Sequence, residues 1–233
     1  MNGPRCCEAL GIFLKLIMNT KLIIFDFAGT LGDTRRNIVM TMQKTISEMR
    51  LPARSEGECA ATIGLPLKGC FHQLFPEMDD SMMEKSAATY RRLFEENRVK
   101  FPPELFPGVM TTLQQLHSQG YVMAIASSRS SRSLHQLVDD LNLRSYISCI
   151  VGADDVSRPK PDAEPVIKIL EALHFSLEET LVVGDMPVDI LMGLNAGTYT
   201  CGVTYGNASR EELQQADAHY IIDNFPLLID ILS

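Results

Sequence analysis

Five short apolar runs recur along the chain, at positions 22–27, 122–127, 149–154, 181–185 and 200–206. They are nearly continuous rather than alternating, which predicts strands buried on both faces of a parallel sheet. Between them, positions 108–120, 130–142, 163–174 and 187–197 repeat apolar residues at spacings of three and four, as one face of a helix does. Ser176 with Glu179 and Ser209 with Glu212 have capping-box spacing, and Gly120 stands where a helix should end. Strands alternating with helices predict an α/β protein built on a doubly wound, mostly parallel sheet.

One stretch breaks the alternation. Roughly ninety residues separate the first apolar run from the second, far more than one crossover helix needs. Helical patterns fill positions 37–49 and 82–99, no strand is evident, and Pro102, Pro103, Pro107 and Gly108 punctuate the return. The pattern predicts an all-helical cap, residues 34–104, inserted into a core made of residues 20–33 and 105–233. Such an insertion would lie over the carboxyl ends of the strands, where open α/β sheets bind ligands.

Residues 1–19 form an N-terminal extension kept apart from the fold. Positions 9–18 are apolar but interrupted by Lys15, and fall short of the roughly 20 residues a membrane span needs. Arg5 before an apolar run faintly resembles a signal peptide, yet no small-x-small cleavage site follows. Met18 competes with Met1 as the start. The expectation is a cytoplasmic protein that does not enter membranes, a monomer or weak dimer.

Composition adds limits. In 233 residues, 45% hydrophobic and 21% charged, disorder and coiled coil are excluded. Lys plus Arg number 21 against 29 Asp plus Glu, a formal charge of −8, so no basic footprint for nucleic acid exists. Six scattered cysteines make no CxxC pair, and the reading is free thiols.

Polar residues with chemistry collect at strand ends. Asp26 closes the first apolar run, Ser127 another, and Asp185 a third, with Asp189 one helical turn on; Lys160 follows a fourth. Singly, each is a common helix cap or loop residue. Together, three carboxylates converging on one crevice suit a hard divalent cation such as Mg²⁺, with the lysine and hydroxyl beside it to hold an anion.

Asp26-Phe27-Ala28-Gly29-Thr30-Leu31, the Ser127 strand end, Lys160 and Gly184-Asp185-Met186-Pro187-Val188-Asp189, in this order, resemble the four motifs of the haloacid dehalogenase superfamily. The similarity is greatest to its phosphoglycolate-phosphatase-like branch with a helical cap, and covers about residues 20–233. It implies a Rossmann-like core and a Mg²⁺-dependent phosphatase-type hydrolase of a small phosphorylated metabolite. Asp26 would be the nucleophile, forming an aspartyl-phosphate. Asp26, the Ala28 carbonyl, Asp185 and Asp189 would serve the metal. Ser127, with Gly29, Thr30 and Ser128, would meet the phosphoryl group or substrate, and Lys160 would neutralise charge, with Arg158 as its rival.

The resemblance also exposes a departure. Family phosphatases carry Asp where Ala28 stands, to protonate the leaving alkoxide and then activate water; a methyl group does neither. A natural loss and an introduced substitution both account for Ala28. Phosphonoacetaldehyde hydrolases share the Ala and use a cap lysine as a Schiff base, which makes Lys68 a candidate; a substrate-facing or solvated charge is its plainer reading. Carbon–phosphorus hydrolysis and non-catalytic phosphometabolite binding are the two alternatives.

Overall fold

In the computed structural model, which describes residues 19–100 and 102–233, every one of the five apolar runs contributes a strand. In chain order the core opens with β1 (Leu22–Phe25) and a short β2 (Gly32–Asp33). Four helices follow: α1 (Arg35–Glu48), α2 (Glu56–Ala60), α3 (Leu67–Leu74) and α4 (Asp80–Lys100). The chain returns through β3 (Glu104–Leu105) to α5 (Val109–Ser118), β4 (Val122–Ala126), α6 (Ser131–Asp140), β5 (Cys149–Val151) and α7 (Glu164–Leu173). It ends with β6 (Thr180–Gly184), α8 (Pro187–Ala196), β7 (Tyr199–Val203), α9 (Arg210–Gln215), β8 (Tyr220–Ile222) and α10 (Leu228–Leu232).

The main sheet runs in the order β5-β4-β1-β6-β7-β8, and all its neighbours pair in parallel. Each face of β1 feeds a different core. Ile23 and Phe25 pack with α5, α6 and α10, while Leu22 and Ile24 pack with α7 and α8. Covering both faces removes the need for alternating polarity, so the runs read as continuous. Strand order reverses beside β1, between it and β6, and open α/β sheets bind ligands at such a switch point.

The capping expectations have different outcomes in length. Ser209 and Glu212 form a reciprocal capping box that opens α9. Ser176 and Glu179 form one too, but it opens only a 3₁₀ turn, Leu177–Glu179, before β6. Gly120 follows α5 with φ +89°, a left-handed position that glycine takes without steric cost. β8, a three-residue edge strand ending in a turn, was absent from the sequence pattern because Tyr220-Ile221-Ile222 is too short to register.

Helices α1–α4 have their own core, with Met42, Ile46, Phe71, Leu74, Tyr90 and Phe94 buried together. Beyond the two helices expected at 37–49 and 82–99, the structure adds the short α2 and α3. A two-residue antiparallel ribbon brings the ends of this segment together, with Gly32 opposite Leu105 and Asp33 opposite Glu104. Cys59, Cys70, Cys149 and Cys201 are free thiols; Cys6, Cys7 and the signal-like stretch lie outside the described residues. No helix among the described residues is long and apolar enough to cross a membrane.

Candidate active site

Parallel pairing sets the site. β1 and β6 lie side by side, so the residues just past their ends, Asp26 and Asp185, flank the switch point. Asp26 is buried, its amide donating to Val183 O at 2.8 Å. The chain then turns tightly, Leu31 N and Gly32 N both donating to Phe27 O. Gly29 in this turn has φ +99°, and a Cβ there would overlap the Asp185 carboxylate and the Asn207 amide. Only glycine lets the turn come so close.

Asp185 and Asp189 come from the β6–α8 junction. Asp189 Oδ2 accepts from Met186 N at 3.0 Å, capping its own helix. Asp185 Oδ2 accepts from Asn207 N and Asn207 Nδ2, both at 2.8 Å, and its Oδ1 accepts from Thr30 Oγ1 at 3.2 Å. Carboxylate oxygens of Asp26, Asp185 and Asp189 all lie within 4.8 Å of one another. Burial, then Asp189 and Asp26, push Asp185 up to about 8 despite the Asn207 bonds. Burial also pushes Asp189 up to about 6 against the pull of Lys160.

One ammonium answers these three carboxylates. Lys160 Nζ, buried, donates to Asp26 Oδ1 at 2.7 Å and to Asp189 Oδ1 at 2.6 Å. Burial pulls its pKa down, but Asp189 and Asp26 outweigh burial and hold it above its ordinary value. Arg158 does not share this position: its side chain is 71% exposed and pairs with Asp162 and Glu164. An excess of buried negative charge remains around a set of hard oxygen donors. That chemistry fits a divalent cation of the Mg²⁺ or Ca²⁺ type.

Around the cluster, Ser127 is buried at the end of β4, its amide donating to Val151 O at 3.0 Å. Thr30 is fully buried and Ala28 half-buried. Ser128 turns the other way, donating from Oγ to Gly64 O at 2.8 Å, and so ties the core to the loop between α2 and α3. Gly64 also sits against Met186, which opens α8. The helical segment therefore rests on the same end of the sheet that carries the carboxylates. Lys68 is not gathered into the cluster. Its side chain is 55% exposed and ion-paired with Glu84, the solvated arrangement rather than a buried one.

Two residues absent from the sequence reading, Asn207 and Tyr205, hold the site in shape together with Arg35. Asn207 fixes Asp185, and Arg35 Nη1 donates to Asn207 Oδ1 at 3.1 Å, linking the first residue of α1 to that pair. Tyr205 Oη donates to Thr30 O at 2.8 Å, bracing the turn after Asp26. Tyr205 and Asn207 follow β7, which ends at Val203, much as Asp26 follows β1, so their position past a strand was the available signal.

Comparison with known proteins points the same way. A family model described as haloacid dehalogenase-like hydrolase matches residues 23–203. The pyrophosphatase PpaX of Anoxybacillus flavithermus is 32% identical over 93% of this chain and 98% of its own. A phosphoglycolate phosphatase of Aquifex aeolicus is 31% identical over 80% of this chain and 85% of its own. Among solved structures, a haloacid dehalogenase-like family hydrolase from Streptococcus pneumoniae shares the fold, with TM-score 0.79, 20% identity, and coverage of 90% of this chain and 96% of that one.

Proposed function

This chain belongs to the haloacid dehalogenase-like hydrolases and is a phosphatase-type enzyme, and on that footing we propose that Asp26 is the nucleophile that takes the phosphoryl group from a small phosphorylated metabolite. The observation that carries the reading is the buried meeting of Asp26, Asp185, Asp189 and Lys160 beside the strand-order reversal. Residues 34–104 act in this account as the lid and residues 20–33 with 105–233 as the hydrolytic core.

An oxygen of Asp26 attacks phosphorus, the P–O bond to the leaving group breaks, and an aspartyl-phosphate forms. Water then attacks that acyl-phosphate, releasing inorganic phosphate and restoring the carboxylate. Lys160 stays protonated beside Asp26 and offsets charge gathering on the phosphoryl oxygens. Ser127 and backbone N–H groups of the turn after Asp26, that of Thr30 among them, donate to those oxygens, while Gly29 N–H is committed to Gly32 O at 3.0 Å. Asp26, the Ala28 carbonyl, Asp185 and Asp189 would hold Mg²⁺, which when bound supplies Lewis-acid polarisation.

Ala28 withholds general acid–base help in both steps. The leaving alkoxide takes its proton from solvent, and the second step proceeds with unactivated water. Good leaving groups, such as phosphate itself or an acyl oxygen, need little protonation, so pyrophosphate-like and acyl-phosphate substrates suit this pocket better than alkyl phosphates.

Phosphate release across alkyl phosphates, acyl phosphates and pyrophosphate, with Mg²⁺ added and then chelated, tests the proposal. The expected result is Mg²⁺-dependent release, fastest with good leaving groups and abolished in a folded Asp26→Asn variant. Substantial metal-independent release, or undiminished release by Asp26→Asn, would reject it.

A further inference from the structure

Arg129 is a partly buried cation with no direct counter-ion among the described residues. It follows Ser127 and Ser128 in the loop between β4 and α6, and its guanidinium reaches from the core into the helical lid, 4.5 Å over the Phe94 ring of α4. Nε is buried and makes no hydrogen bond among the described residues. Its side chain makes one long bond, from Nη1 to Ser133 Oγ at 3.4 Å. Asp26 and Glu95 act on it through space alone; Asp26 is bonded to Lys160, and Glu95 is paired with Arg98 at 3.1 Å. An arginine brings five donors in a fixed fork, and leaving them unmet inside a protein costs stability. Burial accordingly draws its pKa down.

The backbone that presents this fork is fixed beforehand. Ala153 N donates to Arg129 O at 2.7 Å, and Ser131 N donates to Asp154 Oδ1 at 2.6 Å. Gly152 packs so closely that a Cβ would press on both Ser131 and the Arg129 carbonyl. A rigid loop that holds an unpaired guanidinium within the field of Asp26 is preorganised for an anion other than one of the protein's own.

We propose that Arg129 is a substrate-recognition residue whose guanidinium takes a second anionic group, a carboxylate or a second phosphate, carried on the leaving-group side of the phosphoryl substrate. The direction follows from in-line displacement, which puts the leaving oxygen opposite Asp26 and so on the side that faces the lid. Carboxylate and phosphate each offer the paired oxygens that an Arg fork binds bidentately. A substrate with a neutral leaving group would leave the fork unmet and lose affinity for that reason. This inference rests on the reading of Asp26 as the phosphoryl-transfer residue.

Calorimetric titration with Mg²⁺ present tests it with ligands that cannot be hydrolysed: phosphonoacetate carries an added carboxylate, methylenediphosphonate an added phosphonate, and ethylphosphonate no second charge. Wild-type protein should bind at least one two-anion ligand about tenfold or more tighter than ethylphosphonate, and the preferred arm identifies the second group. Arg129→Met, which keeps an apolar stem on Phe94, should erase that preference and leave ethylphosphonate affinity within about threefold. Arg129→Lys, keeping charge without the fork, should retain only part of it. Equal binding of all three ligands by wild type overturns the proposal, as does a preference that survives in folded Arg129→Met. Uniform weakening towards all three ligands also overturns it, because it makes Arg129 a packing wedge. Phosphate release measured in parallel keeps the two readings distinguishable: absence of any phosphoester turnover sinks the hydrolase reading, whereas turnover without an Arg129-dependent preference sinks this one alone.

Discussion

Asp26 and Lys160, 134 residues apart in the chain, meet at 2.7 Å between Oδ1 and Nζ. The same ammonium reaches Asp189 at 2.6 Å, so a single buried cation holds two of three clustered carboxylates. Removing it leaves like charges facing each other with burial preventing their hydration.

Lys160→Met should therefore destabilise the metal-free protein by about 3–5 kcal/mol, the usual cost of breaking a buried pair by deleting one partner. Denaturant unfolding reads this directly, and added Mg²⁺ should recover part of the loss. Phosphate release should fall by about 10²-fold or more. A variant as stable and as active as wild type would remove Lys160 from its compensating role.

The raised Asp185 and Asp189 make stability depend on pH in a stated direction. Their folded pKa values, about 8 and about 6, lie above the ordinary 3.8. The folded state thus keeps protons that the unfolded chain releases, and metal-free stability falls as pH rises from about 4 towards 8. Protons and cation compete for the same oxygens, so Mg²⁺ should protect more at pH 8 than at pH 6. If competition changes affinity tenfold, the thermal midpoint shift should be about 3 °C larger at pH 8. Equal shifts at both pH values, or a larger one at pH 6, would contradict the carboxylate cluster as the cation site.

Asn207→Ala takes one of two donors from Asp185 Oδ2 and breaks the link to Arg35. Loss of such an outer partner should weaken Mg²⁺ binding by about 10–100-fold, measured by calorimetry, with little change in unfolding midpoint without metal. Unchanged Mg²⁺ affinity would mean that Asp185 needs no such support.

Much of this arrangement was legible beforehand because its causes are local. A strand buried on both faces must be apolar until it ends, so the first polar residue past it, Asp26 or Asp185, is conspicuous. Lys160 was placed with its partners through motif order. What stayed hidden depends on neighbours distant in sequence. Asn207 is one Asn after a glycine until the fold sets its amide 2.8 Å from Asp185. Ser128 is a second serine beside Ser127 until the loop between α2 and α3 offers it the Gly64 carbonyl. Lys68 looked chemically suggestive beside Gly64 and Pro66, yet α3 turns it outward to Glu84. Arg129 could not be singled out, since only the packed fold reveals that its Nε finds no partner among the described residues.

Ala28→Asp should restore the missing proton transfers, because residue 28 lies in the tight turn directly after Asp26, the proposed nucleophile. Alkyl phosphate turnover should rise by about 10²–10⁴-fold, and acyl phosphate turnover by less. No rise with any phosphoester would mean that the pocket lacks room for the leaving group where a carboxylate would serve it.

The most direct test is mass spectrometry of wild-type protein quenched in acid during turnover of an acyl phosphate. Without a carboxylate at position 28 to activate water, the aspartyl-phosphate should accumulate, and the phosphoryl group should map to the peptide that contains Asp26. It should diminish in Ala28→Asp and vanish in Asp26→Asn. Phosphate release with no phosphorylated Asp26 peptide at any time point, or a phosphoryl group on another residue, would contradict Asp26 as the nucleophile.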